Sequence, residues 1–114
     1  MLPKEYRLRL EKDIKTLFSK GKSVFGLCVG VKFRPNRLSV SRFAIVVGTK
    51  VAKRAVVRNR VRRQLRGILF RHLSALTPGY DVMLIVKKEA IGKKSRELET
   101  ELVQTLKRKS PLLK

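Results

Sequence analysis

The sequence predicts a mixed α+β fold in one domain spanning residues 1–114, and three observations carry that expectation. Apolar residues recur first at a helical period, then at period two, then at a helical period again. The hydrophobic fraction is 43%, enough for a modest core in a chain of this length. No repeat, low-complexity stretch or Gly/Ser linker divides the chain.

Taken in order, Leu10, Ile14, Leu17 and Phe18 fall at i, i+4, i+7 and i+8. That is the stripe of a short amphipathic helix over 10–20, with Gly21 placed to end it. From Val24 to Phe33 the period is two. Phe25, Leu27, Val29, Val31 and Phe33 share one face, and Gly26, Cys28, Gly30 and Lys32 the other, in one strand or two with a break. A turn at Pro35 and Asn36 leads to RFAIVVG, 42–48, a short apolar run suited to a buried strand. A helix is expected over 52–72, with Val57, Val61, Leu65 and Ile68 in one stripe. TPGYD turns the chain into another buried strand, YDVMLIVKK. A last helix follows, with Ser95 as N-cap candidate and Leu98, Leu102 and Leu106 in register. Its acids lie in the first turns and its lysines and arginine in the last, as the helix dipole favours. No periodicity decides whether the basic end, 107–114, is ordered.

Charge is one-sided. The formal net charge is +21, and no carboxylate lies between Ile14 and Tyr80. A field of that sign repels itself and is commonly neutralised by a polyanion, so nucleic acid and an anionic membrane are the candidate partners. The longest apolar run, FAIVVG, is far short of the roughly 20 residues of a spanning helix. The first residues lack the uninterrupted apolar stretch of a secretory signal. A cytoplasmic protein without a membrane partner is therefore expected. The lone Cys28 excludes an internal disulfide, fits a reducing compartment and reads as a small buried strand residue.

The stretch KRAVVRNRVRRQLR, 53–66, holds seven cations and no acid. On a helix, Arg60, Arg62, Arg63 and Arg66 fan with Asn59 around the face opposite the Val57, Val61, Leu65 stripe, while Arg54 and Arg58 lie nearer its edge. Solvated helix faces normally mix signs, because like charges four residues apart destabilise a helix. Here Arg54, Arg58, Arg62 and Arg66 repeat at that spacing. Arginine's planar fork binds phosphate through two bonds and stacks on bases, which points to nucleic acid. Asn59 suits a sugar hydroxyl or base edge, and equally a spacer.

At these residues the chain resembles the bacterial ribonuclease P protein component, a small basic subunit that assists a catalytic RNA in removing the 5′ leader of precursor transfer RNA. RAVVRNRVRRQLR carries that family's R-N-R core. RLRLEKDIKTLFSKGKS, RFAIVVGTKVAKRA and KKSRELETELVQTLKR are similar to its N-terminal segment, central strand and last helix, in the same order. The resemblance implies a two-layer α/β sandwich of order α-β-β-β-α-β-α. It also implies a left-handed β-α-β crossover around the R-N-R helix, against the general right-handed preference. Carried over by position, Arg58, Asn59, Arg60, Arg62, Arg63 and Arg66 contact the backbone of the catalytic RNA, and Lys50, Lys53 and Arg54 extend that surface. A cleft for the single-stranded leader, between the first helix and the exposed sheet face, is implied to hold Ile14, Phe18 and Lys32. Ile14 stands where the family usually has phenylalanine. The face assigned to Gly26, Cys28, Gly30 and Lys32 lacks an aromatic, so weaker stacking on the leader is expected. Thr49 and Lys50 replace a more usual lysine pair, and Lys87 and Lys88 stand where an arginine is common. Ile14 and Phe18 read equally well as core residues, and the glycines as an irregular strand.

The acid-free middle and single His72 supply neither the clustered carboxylates of a metal-dependent nuclease nor a general base. No catalytic side chain is expected in the protein, and no organic cofactor. Mg2+ is expected to be held mainly by RNA and substrate. A helix-turn-helix DNA reader is disfavoured because the stretch before the basic helix reads as strand. The expected partners are ribonuclease P RNA and precursor transfer RNA, with no DNA. Composition alone would favour a ribosomal or other structural RNA-binding protein, and the R-N-R pattern with its order along the chain lifts the ribonuclease P resemblance above it.

Overall fold

The computed structural model describes residues 3–113, apart from the side chain of Lys109. Its elements are α1 (Glu11–Lys20), β1 (Lys22–Phe25), β2 (Val29–Pro35), β3 (Arg42–Val46), α2 (Ala55–Arg71), β4 (Tyr80–Val86) and α3 (Ser95–Lys109), with short 3-10 turns between. This is the expected α-β-β-β-α-β-α order. The sheet runs β1-β2-β4-β3. β2 pairs antiparallel with β1 and β4, while β3 and β4 are parallel and joined through α2.

Side-chain alternation along β4 divides the molecule. Val82, Leu84 and Val86 enter the main core, against Val61, Leu65, Ile68 and Leu69 of α2 and Leu98, Leu102 and Leu106 of α3. Met83 points the other way and meets Leu8 and Leu17 of the α1 region, with Ile14, Ala44, Val46 and Ile85 partly buried around them. The α2 and α3 helices therefore form one layer, and α1 covers part of the opposite sheet face.

Five local expectations change. The sequence pattern puts Phe25 and Leu27 with Val29, but the chain turns over at 26–28 and pairs Phe25 with Gly30. That restarts the alternation, so Phe25 joins the face of Gly30 and Lys32, and both Phe25 and Leu27 are exposed. The turn passes so close to α3 that a Cβ on Gly26 would sit 2.6 Å from Thr105 Oγ1. Cys28 leaves the Gly30 face and is buried in the main core instead. Burial, reinforced by the Glu101 carboxylate that accepts its backbone N–H, pushes its thiol up to about 12 and keeps it protonated.

Helix α2 starts at Ala55 instead of residue 52, because the N–H groups of Val51 and Ala52 both donate to Gly48 O and hold a turn there. The residue capping α3 is Lys94, whose N–H donates to Glu97 Oε1 at 3.2 Å; Ser95 Oγ accepts from Gln64 Nε2. Leu10 precedes α1 in extended backbone and is exposed. After α3 the chain folds back: Thr77 donates its N–H to Leu112 O and its hydroxyl to Pro111 O, each at 2.8 Å. Leu112 is buried there, and Lys114 lies outside the described residues.

Two charged clusters tie the layers. Arg42 grips Asp81 through Nε and Nη2 at 2.9 and 2.8 Å and reaches Asp13 at 3.3 Å, linking β3, β4 and α1. Glu99 on α3 receives Arg71 at 3.1 Å and lies 2.7 Å from His72 Nε2 at the end of α2. Hydrogen bonds from Arg71 and His72 hold the Glu99 carboxyl below its ordinary 4.5. Because the folded value is depressed, this contribution is full above the unfolded pKa and is lost as pH falls through the folded one. Glu99→Gln is expected to flatten the decline in stability below about pH 4.5; an acid limb superimposable on that of the parent protein in urea unfolding would exclude this role.

Candidate nucleic-acid interface

The buried stripe of α2 fixes which side chains face outward. Val61, Leu65, Ile68 and Leu69 are each no more than 2% exposed, so Asn59, Arg60 and Arg63 are directed to solvent and Arg58, Arg62 and Arg66 are half-buried along the flanks. Lys50, Lys53 and Arg54 are exposed in the lead-in. The structure thus gathers all nine cation-rich positions expected from the sequence into one turn and one helix.

Several details shape that surface. The N-terminal end of a helix carries roughly half a positive charge. First-turn acids offset it in α1 and α3, through Glu11, Asp13 and Glu97, whereas α2 has none. Its dipole adds to the arginines. Among the described residues, the ion pairs engage Lys15, Arg42, Arg71, His72 and Lys93, all outside 50–66. Arg62 Nη1 donates to Asn59 Oδ1 at 3.1 Å. Guanidinium can only donate, so the Asn59 carbonyl is used internally and its amide remains as a donor. Arg58 Nη1 donates to the carbonyls of Ala52 and Lys53 at 2.9 and 2.8 Å, strapping the lead-in to the first turn of the helix.

An aromatic that the sequence reading passed over lies on the same side. Phe70 is four residues beyond Arg66 and seven beyond Arg63, and is 47% exposed. In the run ILF it resembles core; the phase set by Ile68 and Leu69 turns it outward.

The second group of expected residues lies across the sheet. Phe18 is 51% exposed, whereas Ile14 packs on the Leu17 and Met83 cluster. Lys32 donates through Nζ to Phe18 O at 2.7 Å and lies 5.0 Å from the Phe18 ring centroid. The same face gains an aromatic through Phe25, correcting the expectation that it has none. Lys87 Nζ is 5.5 Å from that ring. The arginine helix and this cleft are therefore two surfaces on opposite sides of one sheet.

No group of three or more potential ligands among His, Cys, Asp and Glu occurs among the described residues. Asp13 and Asp81 hold Arg42, Glu99 holds Arg71, and Glu101 accepts the Cys28 N–H.

A family model for ribonuclease P matches residues 2–110. The chain belongs to the ribonuclease P protein family. It is 34% identical to the ribonuclease P protein component of a Cyanothece species, with 93% of each chain aligned. The RNase P protein of Thermotoga maritima superposes with a TM-score of 0.82 at 32% identity, over 90% of this chain and 96% of the other. A mutant Staphylococcus aureus RNase P protein gives 0.84 at 27% identity, over 91% and 87%. A ribonuclease P protein component belongs to an endoribonuclease that matures the 5′ end of transfer RNA, and is not its catalytic subunit. The ribosomal alternative is not favoured by these likenesses.

Within this family member the arginines divide by role. Arg58→Ala is expected to cost about 1–2 kcal/mol of folding stability, through loss of its bonds to the lead-in carbonyls. Arg60→Ala is expected to stay within about 0.5 kcal/mol of the parent. Urea unfolding of both variants checks this, and equal destabilisation would contradict it.

Proposed function

We propose that this ribonuclease P protein component binds the catalytic RNA through 50–66 and the single-stranded leader of precursor transfer RNA through the α1 side of the sheet. The observation that carries the reading is the acid-free surface of Lys50, Lys53, Arg54, Arg58, Asn59, Arg60, Arg62, Arg63 and Arg66, held outward by a buried stripe. Each phosphate neutralised there releases condensed counter-ions, which favours binding and reduces repulsion between catalytic RNA and substrate. Phe18 offers a ring face to a leader base, and Lys32 a charge beside it. Ile14 supports the cleft by seating α1.

Cleavage chemistry belongs to the RNA, and Mg2+ is held mainly by RNA and substrate. The chain works as one RNA-binding domain in the cytoplasm, without DNA or membrane partners. No described helix is long and apolar enough to cross a membrane.

Replacing Arg60 and Arg63 together by alanine is expected to weaken affinity for ribonuclease P RNA. The log-log salt dependence is expected to flatten by roughly 0.7–0.9 per lost contact. An unchanged slope would place those side chains off the RNA. Phe18→Ala is expected to weaken precursors with long leaders by about 1–3 kcal/mol and to spare mature transfer RNA. Equal losses for both would instead reveal damage to the core.

A further inference from the structure

We infer that Phe70 and Gly67, on the outer face of α2 beyond the R-N-R stretch, seat an unpaired base of the catalytic RNA. This rests on the reading of 50–66 as the surface for that RNA and deepens it, assigning a base contact where the arginines supply phosphate contacts.

Helix geometry aligns the parts. Phe70 follows Arg63 by seven residues, so it sits about 10 Å further along the axis and within about 20° of the same line. Its ring is exposed and belongs to neither apolar cluster. Arg66 is one turn back from it. Among the described residues, no ion pair engages Arg63 or Arg66, and Glu99, which approaches this end of the helix, is taken up by Arg71 and His72.

Gly67 completes the seat. It stands three residues before Phe70 and four after Arg63, and so between them on the helix surface. Glycine is a poor helix former, and the packing does not call for one here. Beyond the helix's own backbone, a Cβ at Gly67 would meet Arg71 Nη1 at 3.6 Å, an ordinary contact, and nothing else within 4 Å, the Phe70 ring included. The glycine therefore leaves bare backbone and open space beside the ring.

A single exposed ring is ordinary on a protein surface. A ring, an open floor and two unpaired guanidinium groups on one helix face fit a narrower occupant. Unpaired RNA bases are bound by stacking on aromatic side chains, with cations on the flanking phosphates. An apolar protein partner would instead have to bury Arg63 and Arg66 without counter-charge, which is strongly unfavourable.

The test measures binding of this protein to a bacterial ribonuclease P RNA over a range of salt concentrations. Stacking neutralises no phosphate, so its loss lowers affinity without changing the log-log salt slope, unlike loss of an arginine. Phe70→Ala is expected to bind about fivefold or more weakly at every salt concentration, with the slope of the parent. Phe70→Tyr, which keeps the ring, is expected to match the parent, and Gly67→Leu, which fills the floor, to bind as weakly as Phe70→Ala. If Phe70→Ala or Gly67→Leu binds like the parent while the Arg60 and Arg63 double variant flattens the slope, the base seat is overturned and the RNA reading stands. If that double variant keeps the parent slope, the helix is not on this RNA and both are overturned. Equal loss in Phe70→Ala and Phe70→Tyr, or a loss with a flatter slope, would make the ring a support for its neighbours and overturn the seat. A loss confined to binding of precursor transfer RNA by the assembled holoenzyme would assign the ring to substrate and overturn it as well.

Discussion

Burial of one stripe of α2 is the constraint on which the rest of the structure depends. Val61, Leu65, Ile68 and Leu69 each contribute about 1.5–3 kcal/mol on leaving water. Like-charged pairs at helical spacing cost only about 0.2–0.5 kcal/mol apiece. Packing therefore dominates, and a helix that would repel itself in isolation is held intact with its arginines outward. The missing first-turn acid and the Arg58 strap extend the same field into the lead-in. A cationic surface on a flexible segment would lose ordering entropy on binding; here that cost is met during folding.

The sheet divides two tasks. Alternation along β4 commits Val82, Leu84 and Val86 to the helix layer and leaves Met83 and Ile85 to the α1 side. Helix α1 covers part of that side, where Phe18 and Phe25 are exposed at the surface beside Lys32 and Lys87. Arg42 locks α1 to β3 and β4 through Asp13 and Asp81, which fixes one wall of the cleft relative to its floor. The cationic helix and the Phe18 face thus draw on different side chains, on opposite sides of the sheet.

What was legible in the sequence follows from range. The arginine surface lies on one helix and its turn, so 3.6-residue spacing alone gathers it, and the stripes of α2 and α3 follow from the same periodicity. The cleft joins α1 to β1, β2 and the end of β4, and its make-up depends on the turn at 26–28. Extending a two-residue period through that turn assigns Phe25 and Cys28 to the wrong faces, because pairing Phe25 with Gly30 reverses the phase. The start of α2 shifts for a similarly local reason, since the chain first closes a turn in which the Val51 and Ala52 N–H groups donate to Gly48 O. Phe70 was missed because three apolar residues in a row hide the helical phase.

The most direct measurement is cleavage of a precursor transfer RNA at low magnesium by a bacterial ribonuclease P RNA, with and without this protein. Cleavage restored at the mature 5′ end by the protein, and absent with the protein alone, is the result expected of a charge-neutralising subunit with no catalytic side chain. Binding to the RNA without any gain in cleavage would contradict that role, and cleavage by the protein unaided would contradict the assignment of the chemistry to RNA.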